Sequence, residues 1–227
     1  MKPLFVTMLA AVLFAFGPAP ARAQASDAPP AAAAQAVPQS MPAAQPAPGG
    51  PAAAVPAAAA PQVRISTSMG DITVVLDRAH APVSVDNFLR YVKEGHYDGT
   101  LVYRVAPGFV MQAGSFDSPT HQRDVHDPIA LEANNGLSNL RGTIAMAREE
   151  APNTAAAEFF INLVDNTRLD HHADDAGNTT GYAVFGHVIS GMDVVDKIGA
   201  VPVGDNGPMP GQAPVTPILI SKVTLLP

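Results

Sequence analysis

The stretch YRVAPGFVMQAG (103–114) sets Arg104 and Gln112 among apolar residues, with Phe109 and Val110 between them. It holds no obvious nucleophile, acid, base or metal ligand. A second stretch, EFFINL (158–163), alternates Phe159, Ile161 and Leu163 with Glu158, Phe160 and Asn162. Read as a strand, it has one apolar face for a core. The other face carries a carboxylate, an aromatic ring and an amide, which suits a half-open groove. A guanidinium is permanently charged and presents a planar fork of N–H donors. These residues therefore offer electrostatic and hydrogen-bonding chemistry beside apolar walls. Taken singly, Arg104 is also consistent with an outward arginine on a half-exposed strand, and Phe109, Val110 and Met111 with core.

Bond-breaking chemistry finds few residues. Cysteine is absent, which excludes disulfides, thiolate catalysis and Cys-based zinc sites. None of the seven histidines stands in the His-Glu-x-x-His spacing of a helical metal site. LDHHADDAGNTTG (169–181) gathers His171, His172, Asp174 and Asp175, but adjacent side chains diverge on any regular element. The segment reads as a solvated loop and no metal is assigned to it. No Gly-x-Ser-x-Gly elbow, phosphate loop or dinucleotide fingerprint occurs. The net charge of −7 and pI near 5.3, with no run of Lys/Arg, argue against a nucleic-acid or anionic-membrane partner.

The elements that must position these residues begin well into the chain. Residues 1–25 read as a cleavable export signal, with Lys2 ahead of an apolar Leu4–Phe16 run too short to span a bilayer and small residues up to Ala23 or Ala25. Its removal leaves 11 basic against 20 acidic residues, a charge of −9. Residues 26–62 are mostly Ala and Pro. Recurrent prolines defeat helix, and too little apolar surface remains to repay ordering, so a disordered spacer is expected. Residues 63–227 then form one domain. VRISTS (63–68) and DITVVLD (71–77) read as a hairpin. PVSVDNFLRYVKEG (82–95) has Pro82 at its start, Gly95 past its end and an apolar stripe of Val85, Phe88, Leu89 and Val92, the pattern of an amphipathic helix. Short β-rich runs follow at 101–105, 109–113, 142–147, 158–163, 182–189 and 217–225, with a second helix over 191–200. Two helices far apart among about eight strands do not fit βαβ alternation; a mainly β barrel or sandwich with two capping helices does.

The ordered set YRVAPGFVMQAG, NLRGTIAMAR, EFFINLVDN and GYAVFGHVISGMDVVDKI, with the opening hairpin and APVSVDNFLRYVKEGHYDGT, strongly resembles the cyclophilins, peptidyl-prolyl cis–trans isomerases, and most closely their exported bacterial branch. The resemblance covers 63–227, with HHADDAGNTT as a local extension. It implies a closed eight-stranded antiparallel barrel capped by two helices, with the groove on its outer face. It implies that Arg104 is the catalytic residue and that Phe109, Val110, Phe160 and Leu169 hold a proline ring. Gln112 would bond the substrate backbone, the main chain of Ala147 and Arg148 would pair with an extended peptide, and Tyr182 would line the groove. Strand parity alone does not put Arg104, Phe109, Val110 and Gln112 on one face, so the Pro107-Gly108 turn and Ala113-Gly114 must distort locally. The chain departs from the common pattern at Tyr103, Val110, Ala113 and Arg168, where many eukaryotic members carry Trp. It departs most at Glu158, where Gln is usual; this carboxylate is expected to pair with Arg104 or Arg148, or to face water. The implied partners are X-Pro segments of unfolded exported proteins, met in the periplasm, or outside the cell if the chain is secreted. No cofactor, no nucleic acid and no membrane span after signal removal are expected, and the protein reads as a monomer. The rival functions are a peptide-binding chaperone that has lost turnover and a scaffold displayed on the Ala/Pro tether.

Overall fold

The computed structural model describes residues 60–172 and 180–227. The segment read as an export signal, most of the segment read as a spacer, and Asp174 and Asp175 lie outside them. Thirteen strands and two α-helices follow in order: β1 (Gln62–Thr67), β2 (Gly70–Leu76), α1 (Pro82–Glu94), β3 (Thr100–Leu101), β4 (Arg104–Ala106), β5 (Val110–Ala113), β6 (Phe116–Ser118), β7 (His121–Gln122), β8 (Thr143–Met146), β9 (Phe159–Asn162), β10 (Val184–Ser190), α2 (Met192–Gly199), β11 (Val203–Gly204), β12 (Ala213–Pro214) and β13 (Leu219–Leu225). Among the described residues, one 3₁₀ turn spans Thr167–Leu169. Pairing begins at Gln62, and the Pro61 carbonyl accepts the Leu76 N–H.

Nine strands form one antiparallel sheet in the order β3-β13-β1-β2-β10-β8-β9-β5-β4. Its two edge strands are consecutive in the chain, separated only by Val102 and Tyr103. Laid flat, nine strands would span roughly 38 Å, whereas Leu101 and Arg104 can be at most about 11 Å apart. The sheet must therefore curl back on itself. The ladder nevertheless differs from the closed eight-stranded barrel expected from the sequence. Its ends are joined through the covalent chain, because two halves of one short run cannot pair with each other. Val102 and Val105 turn their N–H groups instead to the carbonyls of Ile218 and Gln212.

The core follows from the alternation. Val63 and Ile65 of β1, Ile72, Val74 and Leu76 of β2, and Ile144, Phe159 and Ile161 are almost fully buried inside the curl. Helix α1 closes one side with Val85, Phe88, Leu89, Tyr91 and Val92. Phe88 meets Phe159 edge-on at 5.4 Å and Tyr97 at 5.1 Å. Its ends are defined as the sequence suggests, with Pro82 in the first turn and Gly95 at φ 68°. There the N–H groups of Gly95 and His96 return to Val92 and Tyr91, satisfying the last carbonyls. The N-terminal N–H groups find an acceptor no local pattern supplies: Glu132 takes those of Val83 and Ser84 at 3.0 and 2.7 Å, placing a carboxylate at the positive end of the helix dipole. Helix α2 buries Val194, Val195 and Ile198.

Candidate active site

The register of the sheet builds the site. Arg104 of β4 lies opposite Gln112 of β5, Gln112 opposite Phe160 of β9, Phe160 opposite Ala145 of β8, and Ala145 opposite Val184 of β10. Directly opposed residues share a face of a sheet, so these five form one row on the side away from the core. Val110, two residues before Gln112, shares that face. No distortion is needed to bring Arg104, Val110 and Gln112 together, which narrows the parity expectation to Phe109. Phe109 alone depends on the turn: Gly108 has φ 70°, and the Phe109 N–H bonds the Ala106 carbonyl.

Over this row a second apolar cluster forms, separate from the core. It consists of Val110, Ala145, Ala147, Phe160 and Val184, with the partly exposed Phe109, Leu137, Leu169 and Tyr182 packed against it. Every apolar wall residue expected from the sequence is here. Leu137, Ala145 and Val184 join them without having been anticipated, being ordinary apolar residues in a loop and in strand centres. Leu169 ends the 3₁₀ turn, and its carbonyl accepts the Tyr182 N–H at 2.9 Å. Tyr182 stands edge-on to Phe160 at 5.5 Å, and the Arg148 guanidinium lies 4.8 Å from the Tyr182 ring centre.

The polar groups form one connected set. Arg104 donates from Nε to Gln212 Oε1 at 2.7 Å and from Nη1 to Gln112 Oε1 at 2.9 Å. That leaves the Nη2 group and one Nη1 hydrogen free of protein acceptors. Gln112 donates from Nε2 to Glu158 Oε2 at 2.9 Å and to the Tyr103 hydroxyl, which donates to Glu158 Oε2 at 2.7 Å. Both amide hydrogens of Gln112 are thus committed, and only its oxygen can serve a ligand further. The cation on one side and the anion on the other fix which way the amide faces. Of the two alternatives given for Glu158, pairing with an arginine does not occur, and the groove-edge carboxylate is the one left. Gln112 stands between it and Arg104, while Arg148 is engaged with the carbonyls of Gly181, Glu149 and Glu150 at 2.8 Å each.

Burial pushes the Tyr103 phenol far above its ordinary pKa, and Glu158 adds to the rise, so Tyr103 remains a protonated donor. Burial also lowers the Arg104 pKa, opposed by Tyr103, Tyr182 and Glu158, yet a guanidinium stays charged. Glu158 is positioned through its main chain. The Ala156 carbonyl accepts from Asn87 Nδ2 at 2.6 Å, that of Ala157 from the Tyr97 hydroxyl at 2.9 Å, and that of Glu158 from the Ala147 N–H at 2.9 Å. Gly114, at φ 132°, lies so close that a Cβ there would meet the Ala157 oxygen at 2.6 Å. Gln212 and Tyr103 as hydrogen-bonding partners were not anticipated; Gln212 sits in an irregular Gly/Pro-rich segment with no periodicity to mark it. Among the described residues, no group of three or more His, Cys, Asp or Glu is gathered as a metal site. The arrangement can hold a small apolar ring against Phe109, Val110, Phe160 and Leu169 while directing fixed N–H donors at one edge of it.

Comparison with known proteins gives a consistent result. The sequence model of the family described as "Cyclophilin type peptidyl-prolyl cis-trans isomerase/CLD" matches residues 62–225. Peptidyl-prolyl cis-trans isomerase A of Dickeya dadantii is 46% identical over 164 residues, covering 72% of this chain and 84% of the relative. Peptidyl-prolyl cis-trans isomerase B of Escherichia coli is 45% identical over 163 residues, covering 72% and 98%. A crystal structure of a Cryptosporidium parvum cyclophilin type peptidyl-prolyl cis-trans isomerase superposes with a TM-score of 0.60 at 22% identity, over 74% of this chain and 98% of that one; at that identity it speaks to the fold.

Proposed function

The chain belongs to the cyclophilin-type family and is a peptidyl-prolyl cis–trans isomerase, and from that premise we propose how the groove does the chemistry and where. Rotation about an X-Pro bond meets a barrier of about 18–20 kcal/mol because it breaks amide resonance. No covalent bond changes, so neither a nucleophile nor a general base is required. The catalyst must bind the twisted amide more tightly than either planar form. Phe109, Val110, Phe160 and Leu169 hold the pyrrolidine ring while the preceding carbonyl turns. In the twisted form the proline nitrogen regains a lone pair, and the free Nη hydrogens of Arg104 donate to it from a position fixed by Gln112 and Gln212. The Gln112 oxygen accepts a substrate N–H. The Ala147 N–H is spent on Glu158, so pairing with the peptide falls to the Ala147 carbonyl and the Arg148 N–H.

The observation that carries this reading is the cross-strand row Arg104–Gln112–Phe160–Ala145–Val184 beneath its own apolar cluster. We assign the activity to folding of exported proteins in the periplasm, on the strength of the signal-like N-terminus and the Ala/Pro-rich spacer. The test is exchange NMR on an X-Pro peptide. Each 1.36 kcal/mol of lost transition-state stabilisation is tenfold in rate, and a charge-assisted bond contributes about 1.5–3 kcal/mol. Arg104→Ala should therefore lower kcat/KM by roughly 10- to 100-fold while the peptide still binds. Turnover unchanged in the variant would remove Arg104 from the mechanism; binding without turnover in the wild type would make this chain a peptide-holding chaperone.

A further inference from the structure

The groove has two differently charged ends. Along the strands, Glu158 precedes β9 beside the Ala147 N–H, whereas Leu163 follows it beside the Phe109 carbonyl. The five-residue offset between them corresponds to about 17 Å of extended chain. At the first end, the Glu158 Oε2 atom is occupied by Tyr103 and Gln112, while Oε1 has only a 3.5 Å contact from Gln122 Nε2. At the second end, the Arg168 guanidinium lies 4.6 Å from the centre of the Phe109 ring. Arg168 is exposed, and among the described residues no hydrogen-bond acceptor or carboxylate engages it. The other charges bordering the groove are already engaged or do not cancel this polarity. Arg104 is tied to two glutamines, Arg148 to three carbonyls, and Asp170 to Ser138 and Asn139. Glu149 and Glu150, both exposed, follow Ala147 at the acidic end.

We propose, resting on the isomerase reading above, that Glu158 and Arg168 are specificity-determining residues that select X-Pro segments by charge order: a basic residue about two positions before the proline and an acidic one about two positions after it. Five residues of extended peptide cover about 13 Å, and the long side chains of the first and last reach on to the two ends with the proline in the middle. The direction follows from the pocket. Phe109, Val110 and Leu169 place the ring toward the Arg168 end, and the Arg104–Gln112 pair lies one step toward Glu158. The donor must face the proline nitrogen, the atom joined to the preceding residue. That residue therefore runs toward Glu158, and the one after proline toward Arg168.

Two peptides of identical composition test this, Ala-Lys-Ala-Pro-Ala-Glu-Ala and its reverse, Ala-Glu-Ala-Pro-Ala-Lys-Ala, with Ala-Ala-Ala-Pro-Ala-Ala-Ala as a neutral reference. With the intact chain at low salt, exchange NMR should give the first peptide a kcat/KM about fivefold higher than the second, the scale of partly screened charges several ångströms apart. The ratio should shrink toward one in Glu158→Gln/Arg168→Gln and as salt is raised. A ratio of one in the wild type, or a ratio unchanged in the double variant, overturns the proposal. Should the neutral peptide bind without being turned over, the isomerase reading fails by itself; the order of Kd values for the two charged peptides then decides the charge selection in the same way.

Discussion

Arg104 is held by two amide oxygens of different origin, and the difference has consequences. Gln112 comes from the neighbouring strand and is itself clamped by Glu158 and Tyr103, whereas Gln212 comes from a segment more than a hundred residues later. The Gln212 side-chain oxygen is taken up by the Arg104 Nε–H, so its role is to position the guanidinium. Gln212→Ala should lower kcat about three- to tenfold, the worth of roughly 1 kcal/mol of lost orientation, with KM little changed. The Arg104 Nε–H resonance, protected in the wild type, should exchange faster in the variant. A fall in KM-dependent binding alone would show that Gln212 shapes the groove instead. Arg104 and Gln112 stand out in the sequence because polar groups interrupting an apolar run ask for a reason. Gln212 does not, since a glutamine between Gly211 and Ala213 has neither periodicity nor apolar contrast. Glu158 was visible as an oddity, but its partners were not: whether a carboxylate meets an arginine directly or across an amide depends on register, which one strand cannot reveal.

At the scale of elements, α1 was readable to the residue because Pro82 and Gly95 mark its ends, and the longer strands were readable from alternation. The two small hairpins, β6–β7 and β11–β12, and the split of 100–106 into β3 and β4 were not, because two- and three-residue ladders are imposed by their partners and leave no period. The same limit hides how the groove's far wall is fixed. Leu169 stands on a 3₁₀ turn whose end is tied to the 123–142 segment by Asp170, which accepts from Ser138 Oγ, from the Asn139 N–H at 2.6 Å and from Asn139 Nδ2 at 3.0 Å. Partial burial would raise the Asp170 pKa, but these hydrogen bonds outweigh it and hold the carboxyl below its ordinary value. The sign follows: a depressed folded-state pKa stabilises above the unfolded value, and that stability is lost as pH falls through the folded value. Asp170→Asn should cost about 1–3 kcal/mol at pH 7 by urea denaturation. The gap should begin to narrow below about pH 4, where the unfolded carboxyl protonates. A gap independent of pH would mean the ionised form is not what ties the turn. The variant should also raise KM, because Leu169 loses its support.

Over the whole molecule, the groove and every partner described for it come from residues between Asn87 and Gln212, while the chain carries a further sixty-one residues ahead of β1. Those residues bring Ala and Pro in quantity but only one acidic residue, Asp27, and two basic ones, Lys2 and Arg22, so the charge of the chain is concentrated from Gln62 onward. That asymmetry separates two roles. The sheet contains the Arg104 row, so catalysis is expected of it; the preceding segment, expected from its composition to be a spacer of about 100 Å if fully in polyproline II, would then set only where that row operates. Deleting residues 26–59 while keeping residues 1–25 should therefore leave kcat/KM on a short X-Pro peptide within about twofold of the intact chain, a change of under roughly 0.5 kcal/mol, in a side-by-side exchange NMR measurement. If the segment instead occupied the groove through its own X-Pro bonds, the deletion would raise kcat/KM by relieving competition at the high local concentration a tether creates, and the spacer would have to be reread as a ligand held in reserve.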